Sequence, residues 1–181
     1  AATSVLSGTA KAAAPASPNA NLRIGFIGPG GRGFGAHVKR LTKLQVEGEK
    51  IELVAVCDVY NKHAERAAKY IKKETGFEPK QYEDYLEMIE KEDLDAVCIG
   101  TPDHWHAKQI IDSLERGLHV YCEKPMTLTL LEAKRCIDAV RKHKRVMQTG
   151  SQQRSNVFGD FRQACEFIRS GRIGDVKKVT V

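Results

Sequence analysis

From Leu22 onward, short apolar runs alternate with segments in which apolar residues return every three or four positions. Leu22 to Ile27, Ile51 to Cys57, Ala96 to Ile99, Leu118 to Cys122 and Val146 to Thr149 have the length and composition of buried strands. Between them, five stripes fall on one face of a helix. They are Phe34, His37, Val38, Leu41 and Leu44; Ala64, Ala67, Ala68 and Ile71; Tyr82, Tyr85, Leu86 and Ile89; Ala107, Ile110, Ile111 and Leu114; and Ala133, Cys136, Ile137 and Val140. A short extended piece is expected near Lys80. The β-α alternation predicts an α/β chain whose doubly wound parallel sheet is covered by helices on both faces, because right-handed crossovers leave few other solutions.

The ends of the chain depart from this pattern. Residues 1–21 are built from Ala, Ser, Thr, Pro and Gly with a single charge, and they cannot form a core. Ala12-Ala13-Ala14 fits a signal-peptidase site, so the segment reads either as the tail of an export signal or as a flexible leader. A twin-arginine signal upstream would make the protein periplasmic; otherwise it is expected in the cytoplasm. Residues 22–150 hold the β-α repeat. Within 151–181, Phe161, Ala164, Cys165 and Ile168 predict a helix ended by Gly171, and the run from Ile173 to Val181 predicts the first strand of a truncated second α/β domain.

Composition narrows the function classes. With 41% apolar and 29% charged residues, and no apolar run near the roughly 20 residues of a membrane-spanning helix, no membrane insertion is expected. The net charge of +6 is densest at Arg141-Lys142-His143-Lys144-Arg145, at a predicted helix end where cations suit the dipole. No nucleic-acid-binding motif accompanies it, so no nucleic-acid partner is expected. Cys57, Cys98, Cys122, Cys136 and Cys165 are widely spaced and odd in number, and they read as buried thiols rather than disulfides or zinc ligands.

Gly28-Pro29-Gly30-Gly31-Arg32-Gly33 matches G-x-G-x-x-G between the first strand and the first helix. Glycines there allow a tight turn, close approach to a pyrophosphate and close helix-strand packing, while the helix start supplies free amides and positive potential. Asp58, ending the second strand, suits the hydroxyls of an adenosine ribose and favours NAD over NADP, with NADP kept open by the nearby Lys62 and Arg66. The alternative role for Asp58 is to cap the following helix.

Two further stretches end strands where ligands of open α/β sheets bind: Thr101-Pro102-Asp103-His104-Trp105-His106 and Glu123-Lys124-Pro125. His104 and His106 lack an acidic or cysteine partner at metal-ligand spacing, which leaves groove lining or helix-start hydrogen bonding; no metal is expected. Lys124, if partly desolvated in the cleft, has the chemistry to manage the proton of a substrate oxygen during hydride transfer. As a bare surface pair, Glu123 and Lys124 would have no such role. Trp105 covers the substrate side or simply packs.

Together, IGFIGPGGRG, AVCDV, AVCIGTPDHWHA and GLHVYCEKPMTLTLLEA resemble the Gfo/Idh/MocA oxidoreductases from about Leu22 to the end. The resemblance implies a Rossmann domain followed by an α/β domain whose open sheet roofs the active site and often mediates homo-oligomer formation. It implies NAD- or NADP-dependent redox chemistry on a sugar, polyol or related small molecule, or a glycosidase-like variant of that chemistry. A non-catalytic nucleotide-binding module is the alternative from another class. By the same resemblance Lys124 lies between nicotinamide and substrate, Thr101, Pro102 and His106 line the cofactor groove, and Glu123 approaches the nicotinamide ribose. Pro125 completes the motif, and Gln152, Gln153 and Arg154 fall where further side chains reach the cofactor.

Overall fold

The computed structural model of the chain describes residues 20–152 and 160–180. Most of the leader, Gln153, Arg154 and Val181 lie outside the described residues. The chain divides into two units at Thr149 and Gly150.

Strand β1 (Leu22–Ile27) leads through the glycine turn into a π-turn (Gly33–Val38) that runs directly into α1 (Lys39–Val46). There follow β2 (Ile51–Cys57), α2 (Asn61–Thr75), β3 (Lys80–Tyr82), α3 (Tyr85–Lys91) and β4 (Ala96–Ile99). A short 3-10 turn (Asp103–Trp105) opens α4 (His106–Glu115), and β5 (His119–Glu123), α5 (Leu130–His143) and β6 (Met147–Gly150) complete the sheet. The strand order is β3-β2-β1-β4-β5-β6, with parallel pairing at β1–β2, β1–β4, β2–β3 and β4–β5. Winding reverses between β1 and β4, and the crevice at such a point lies beyond the carboxyl ends of the strands. Ile27 pairs with both Cys57 and Ile99, and Ile99 with Cys122. That register brings the glycine turn, Asp58, Thr101 and Glu123 out on one edge of the sheet.

Both faces of the sheet are buried, which is why its strands read as continuous apolar runs rather than alternating ones. On one face Phe26, Leu53 and Val56 pack with Ala64, Ala67, Ala68 and Ile71 of α2. On the other, Val54, Val97, Ile99 and Val120 pack with Met88, Ile110, Leu114 and Cys136. Side chains settle the ends of the elements. Thr129 and Glu132 form a reciprocal capping box that starts α5. Gly76, at φ +77°, ends α2 in the left-handed region.

Three expectations change. Tyr82 belongs to β3, not to the following helix, because the Asp84 side chain caps α3 by accepting from Leu86 N at 2.8 Å. Four cysteines are buried, but Cys165 on α6 (Asp160–Arg169) is exposed. Residues 173–180 form no strand. A strand persists only where a neighbour takes its backbone hydrogen bonds, and a run of β-branched residues by itself supplies no such neighbour.

One buried acid sits beside the short β3. Glu92 accepts from Lys80 Nζ at 2.9 Å and from the Tyr82 hydroxyl. Burial by itself would raise the Glu92 pKa, but these hydrogen bonds hold it below its ordinary value of 4.5. A depressed carboxyl contributes stability that is fully present above its unfolded pKa and is lost as pH falls through its folded pKa. Glu92→Gln should therefore cost stability near neutral pH and flatten the acid limb of the stability profile. Urea unfolding of both proteins at about pH 6 and about pH 3 measures this as a difference that narrows at the lower pH.

Candidate active site

The glycine turn is a place where three stretches of backbone meet without room for side chains. Gly28 has φ +75°, and a Cβ there would come within 2.7 Å of Thr101 N. A Cβ on Gly33 would collide with the Gly28 carbonyl oxygen, and one on Gly100 would lie 3.0 Å from Gly33 Cα. Gly28 N donates to Cys57 O and Gly100 N to Ile27 O, each at 2.8 Å, pinning the turn to its neighbouring strands. Helical bonding begins with Phe34 N donating to Gly30 O at 3.2 Å. The amides just before it lie in a helical first turn, which has no intrahelical acceptors for them.

Over this turn lies a cavity of about 500 Å³, lined among others by Gly28, Gly30, Gly31, Asp58, Tyr60, His63, Thr101, Pro102 and Trp105. Asp58 does not cap α2. Its Oδ1 accepts from Tyr60 N at 2.9 Å in a turn ahead of the helix, whose cap is Tyr60. Its Oδ2 lies 3.2 Å from His63 Nδ1, so α2 itself orients the carboxylate. One turn further along α2, Arg66 donates from Nη2 to Gly30 O at 2.7 Å and stacks 4.3 Å from the Phe34 ring centre. Arg66 is thus engaged in holding the turn, and Lys62 Nζ lies 6.0 Å from the Tyr60 ring centre.

The loop after β4 contributes Thr101, Pro102 and Trp105 to the cavity wall, with Trp105 44% exposed. Thr101 is held by its hydroxyl, which donates to Gln109 Oε1 at 2.7 Å. The two histidines part company. His104 is exposed at the helix start, its backbone N donating to Asp103 Oδ1 at 2.9 Å. His106 is buried and does not line this cavity. Its Nε2 lies 2.9 Å from Thr101 O and its Nδ1 2.6 Å from Pro125 O, joining the two strand-end loops from beneath.

Glu123 is buried at the end of β5. Its Oε1 lies 3.0 Å from Arg32 Nε and 2.6 Å from His37 Nε2, and its Oε2 accepts from Lys124 N at 3.2 Å. Burial would push its carboxyl up, but the hydrogen bonds from Arg32 and His37 outweigh it and hold the group below the usual carboxylate range. Lys124 and Pro125 follow on the exposed rim, joined by a cis peptide bond. The partial desolvation expected for Lys124 is not found, since the lysine projects beyond the strand end. Pro29 is buried within the turn, and Gln152 belongs to the second unit. Two other ionisable groups on the cavity are unsuited to proton transfer near neutral pH. Burial, then the nearby Asp84, Asp58, Glu83 and Glu87 carboxylates, push the Cys57 thiol up to about 12. Burial and a hydrogen bond to Asp112 push the Tyr85 phenol up to about 12, against a smaller opposing pull from Lys108.

The cavity fits a dinucleotide: its floor is glycine backbone, closed to a Cβ at Gly28, a helix start whose first amides lack intrahelical acceptors adjoins it, and a carboxylate stands at the end of the next strand. Among the described residues no cluster of His, Cys, Asp and Glu could hold a metal ion, and no helix is long and apolar enough to cross a membrane. Sequence reasoning overlooked Gly100, His63 and Gln109. Gly100 carried a readable signal, a glycine immediately after a strand and before Thr-Pro. His63 and Gln109 carried none, because their roles depend on which loop lies beside their helix.

Known proteins resemble this chain in sequence and in fold. An alpha-N-acetylgalactosaminidase of Shewanella oneidensis is 34% identical over 160 residues, which is 86% of this chain and 33% of that protein. The scyllo-inositol dehydrogenase of Lactobacillus casei, solved with NAD(H) and scyllo-inositol, is 26% identical with a TM-score of 0.70 over 86% of this chain and 43% of that one. An oxidoreductase of Thermotoga maritima is 28% identical with a TM-score of 0.73, covering 86% of this chain and 45% of that one. The chain thus spans a third of the length of that curated relative and less than half of these solved structures. Residues 22–151 match the family described as an oxidoreductase family with an NAD-binding Rossmann fold, and the chain belongs to that family, the Gfo/Idh/MocA oxidoreductases.

Proposed function

We propose that the chain forms the dinucleotide-binding part of an NAD-dependent oxidoreductase that acts on a hydroxyl-bearing carbon of a sugar, polyol or glycoside. The observation that carries this reading is the cavity at the switch point of the sheet, bounded by the glycine turn, Asp58 and the Thr101 loop. Bound there, a nicotinamide dinucleotide supplies the hydride acceptor or donor. The chain's residues divide the remaining work. The glycine turn and helix start bind the phosphates, and Asp58, steadied by His63, accepts from the ribose hydroxyls. Thr101 and Pro102 support the nicotinamide half, while Lys124 holds or releases the proton on the substrate oxygen.

A second reading is favoured by the alpha-N-acetylgalactosaminidase relative: the same hydride step, run forward and back, labilises a glycosidic bond with no net redox change. Incubating the full-length enzyme with NAD and a panel of sugars, polyols and glycosides separates the two. NADH accumulating in step with oxidised product supports the dehydrogenase, and glycoside cleavage without accumulating NADH supports the second reading.

Two substitutions test the residue roles. The carboxylate of Asp58 favours free ribose hydroxyls and repels a 2′-phosphate, so NAD should bind more tightly than NADP. Trp105, the sole tryptophan, lines the cavity and makes binding visible as quenching of its fluorescence. Asp58→Ala should weaken NAD binding by about 1.5–3 kcal/mol, roughly 10- to 150-fold, and shrink the gap to NADP. Lys124→Ala in the full-length enzyme should leave NAD affinity nearly unchanged while turnover falls by roughly 10²–10⁴-fold. Unimpaired turnover would take the proton role away from that lysine.

A further inference from the structure

The π-turn carries a consequence for the lysine-bearing strand end. On an α-helix, residues five apart stand about 140° apart around the axis. In a π-turn, whose hydrogen bonds close five residues apart, they come round to the same side. The π-turn Gly33–Val38 has Arg32 at its N-cap and closes with Lys39 N donating to Phe34 O. It therefore puts Arg32 and His37, five apart, on one side of the helix, where both reach Glu123 Oε1. Such widened turns are rare and recur at functional sites.

The three groups are not equivalent. Arg32 is 53% exposed, so water screens its pairing. His37 is 12% exposed and Glu123 5%, and the His37 ring also packs edge-on against Tyr121 of β5 at 5.0 Å. The short contact between His37 Nε2 and a buried carboxylate is accordingly the stronger tie. The other carboxylate oxygen receives the backbone N of Lys124. A chain of contacts therefore runs from the phosphate-binding turn through His37 and Glu123 to Lys124, across the end of β4, which lies between β1 and β5 in the sheet.

We propose that His37 is a positioning residue: by donating from Nε2 to Glu123 it sets the place of Lys124 relative to the dinucleotide seat, and it couples occupancy of that seat to the lysine. The proposal rests on the reading of the cavity as a dinucleotide site and of Lys124 as its neighbour. It assigns Glu123 an indirect part, holding its own strand end against the turn.

The test uses the 181-residue chain with NADH as the probe. Quenching of Trp105 reports binding. The ¹³C-methyl resonance of reductively methylated Lys124, identified by its loss in Lys124→Arg, reports the surroundings of the amine. In the unsubstituted chain NADH should quench Trp105 and shift the Lys124 resonance. His37→Leu keeps bulk but removes the donor; quenching should persist while the NADH-induced shift is lost. His37→Gln keeps an N–H within similar reach and should retain both. Arg32→Met, at an exposed position that leaves folding intact, should reduce the shift partially. An undiminished shift in His37→Leu would overturn the proposal, as would equal loss in His37→Gln, which would assign the effect to ring packing on Tyr121. Absence of quenching in the unsubstituted chain would instead overturn the dinucleotide reading, and this proposal with it.

Discussion

The close approach of backbone at Gly28, Gly33 and Gly100 is the constraint on which the rest of the site depends. Strand β1 must turn, enter a helix and pass β4 within a distance that admits no Cβ on Gly28 or Gly33 and leaves only 3.0 Å for one on Gly100. That approach seats the helix start directly over the sheet and leaves its first amides beside the cavity. It also fixes the Thr101 loop, because Thr101 N and its side chain form the wall against which Gly28 packs. A single methyl group at Gly28 or Gly33 would push apart strands whose register delivers Asp58, Thr101 and Glu123 to one end of the sheet.

Beyond the last ladder hydrogen bond the strand ends have no partner strand to hold them, and side chains take over. Arg66 holds the glycine turn by its carbonyls, His63 holds Asp58, Gln109 holds Thr101, and His106 joins the Thr101 and Pro125 loops. Each tie reaches from a helix to a loop, so the precision of the loops derives from helices packed on the apolar faces of the sheet. Most of these groups are partly or fully buried, and each is satisfied by a named partner. That matters because an unpaired buried polar group costs about 1–3 kcal/mol.

Ionisable chemistry around the cavity is sorted by the same packing. Burial makes Cys57 and Tyr85 poor proton donors or acceptors near neutral pH, whereas the Arg32 guanidinium and the His37 imidazole hold the Glu123 carboxyl below its ordinary range. Lys124 stands on the rim beyond Glu123 with its backbone anchored and its side chain exposed. An exposed amine on a fixed main chain is suited to meet a second molecule, since its reach is set while its solvation changes only when something docks over it.

How much of this was legible in the sequence follows from the range of the forces involved. The strand runs, the helical stripes, the G-x-G-x-x-G turn and Asp58 are local or periodic, and a linear reading finds them because burial on both faces of a parallel sheet imposes continuous apolar runs. The resemblance carried by Glu123-Lys124-Pro125 was equally local. Helical spacing places Tyr82 on a helix, because an aromatic at that spacing does not reveal that Asp84, two residues later, caps α3. The run from Ile173 to Thr180 carries the β-branched residues Ile173, Val176, Val179 and Thr180, yet pairing is a property of two segments and not of one. The motif places His106 in the groove, yet it lies beneath it, and the periodicity places His37 in an apolar stripe, yet it donates to Glu123, 86 residues away in sequence. Periodicity and the local glycine motif thus determined the sheet, its helices and the phosphate turn. Only the tertiary structure decided which helix side chain meets which strand end, because those contacts depend on the register of the sheet and on a single widened helical turn.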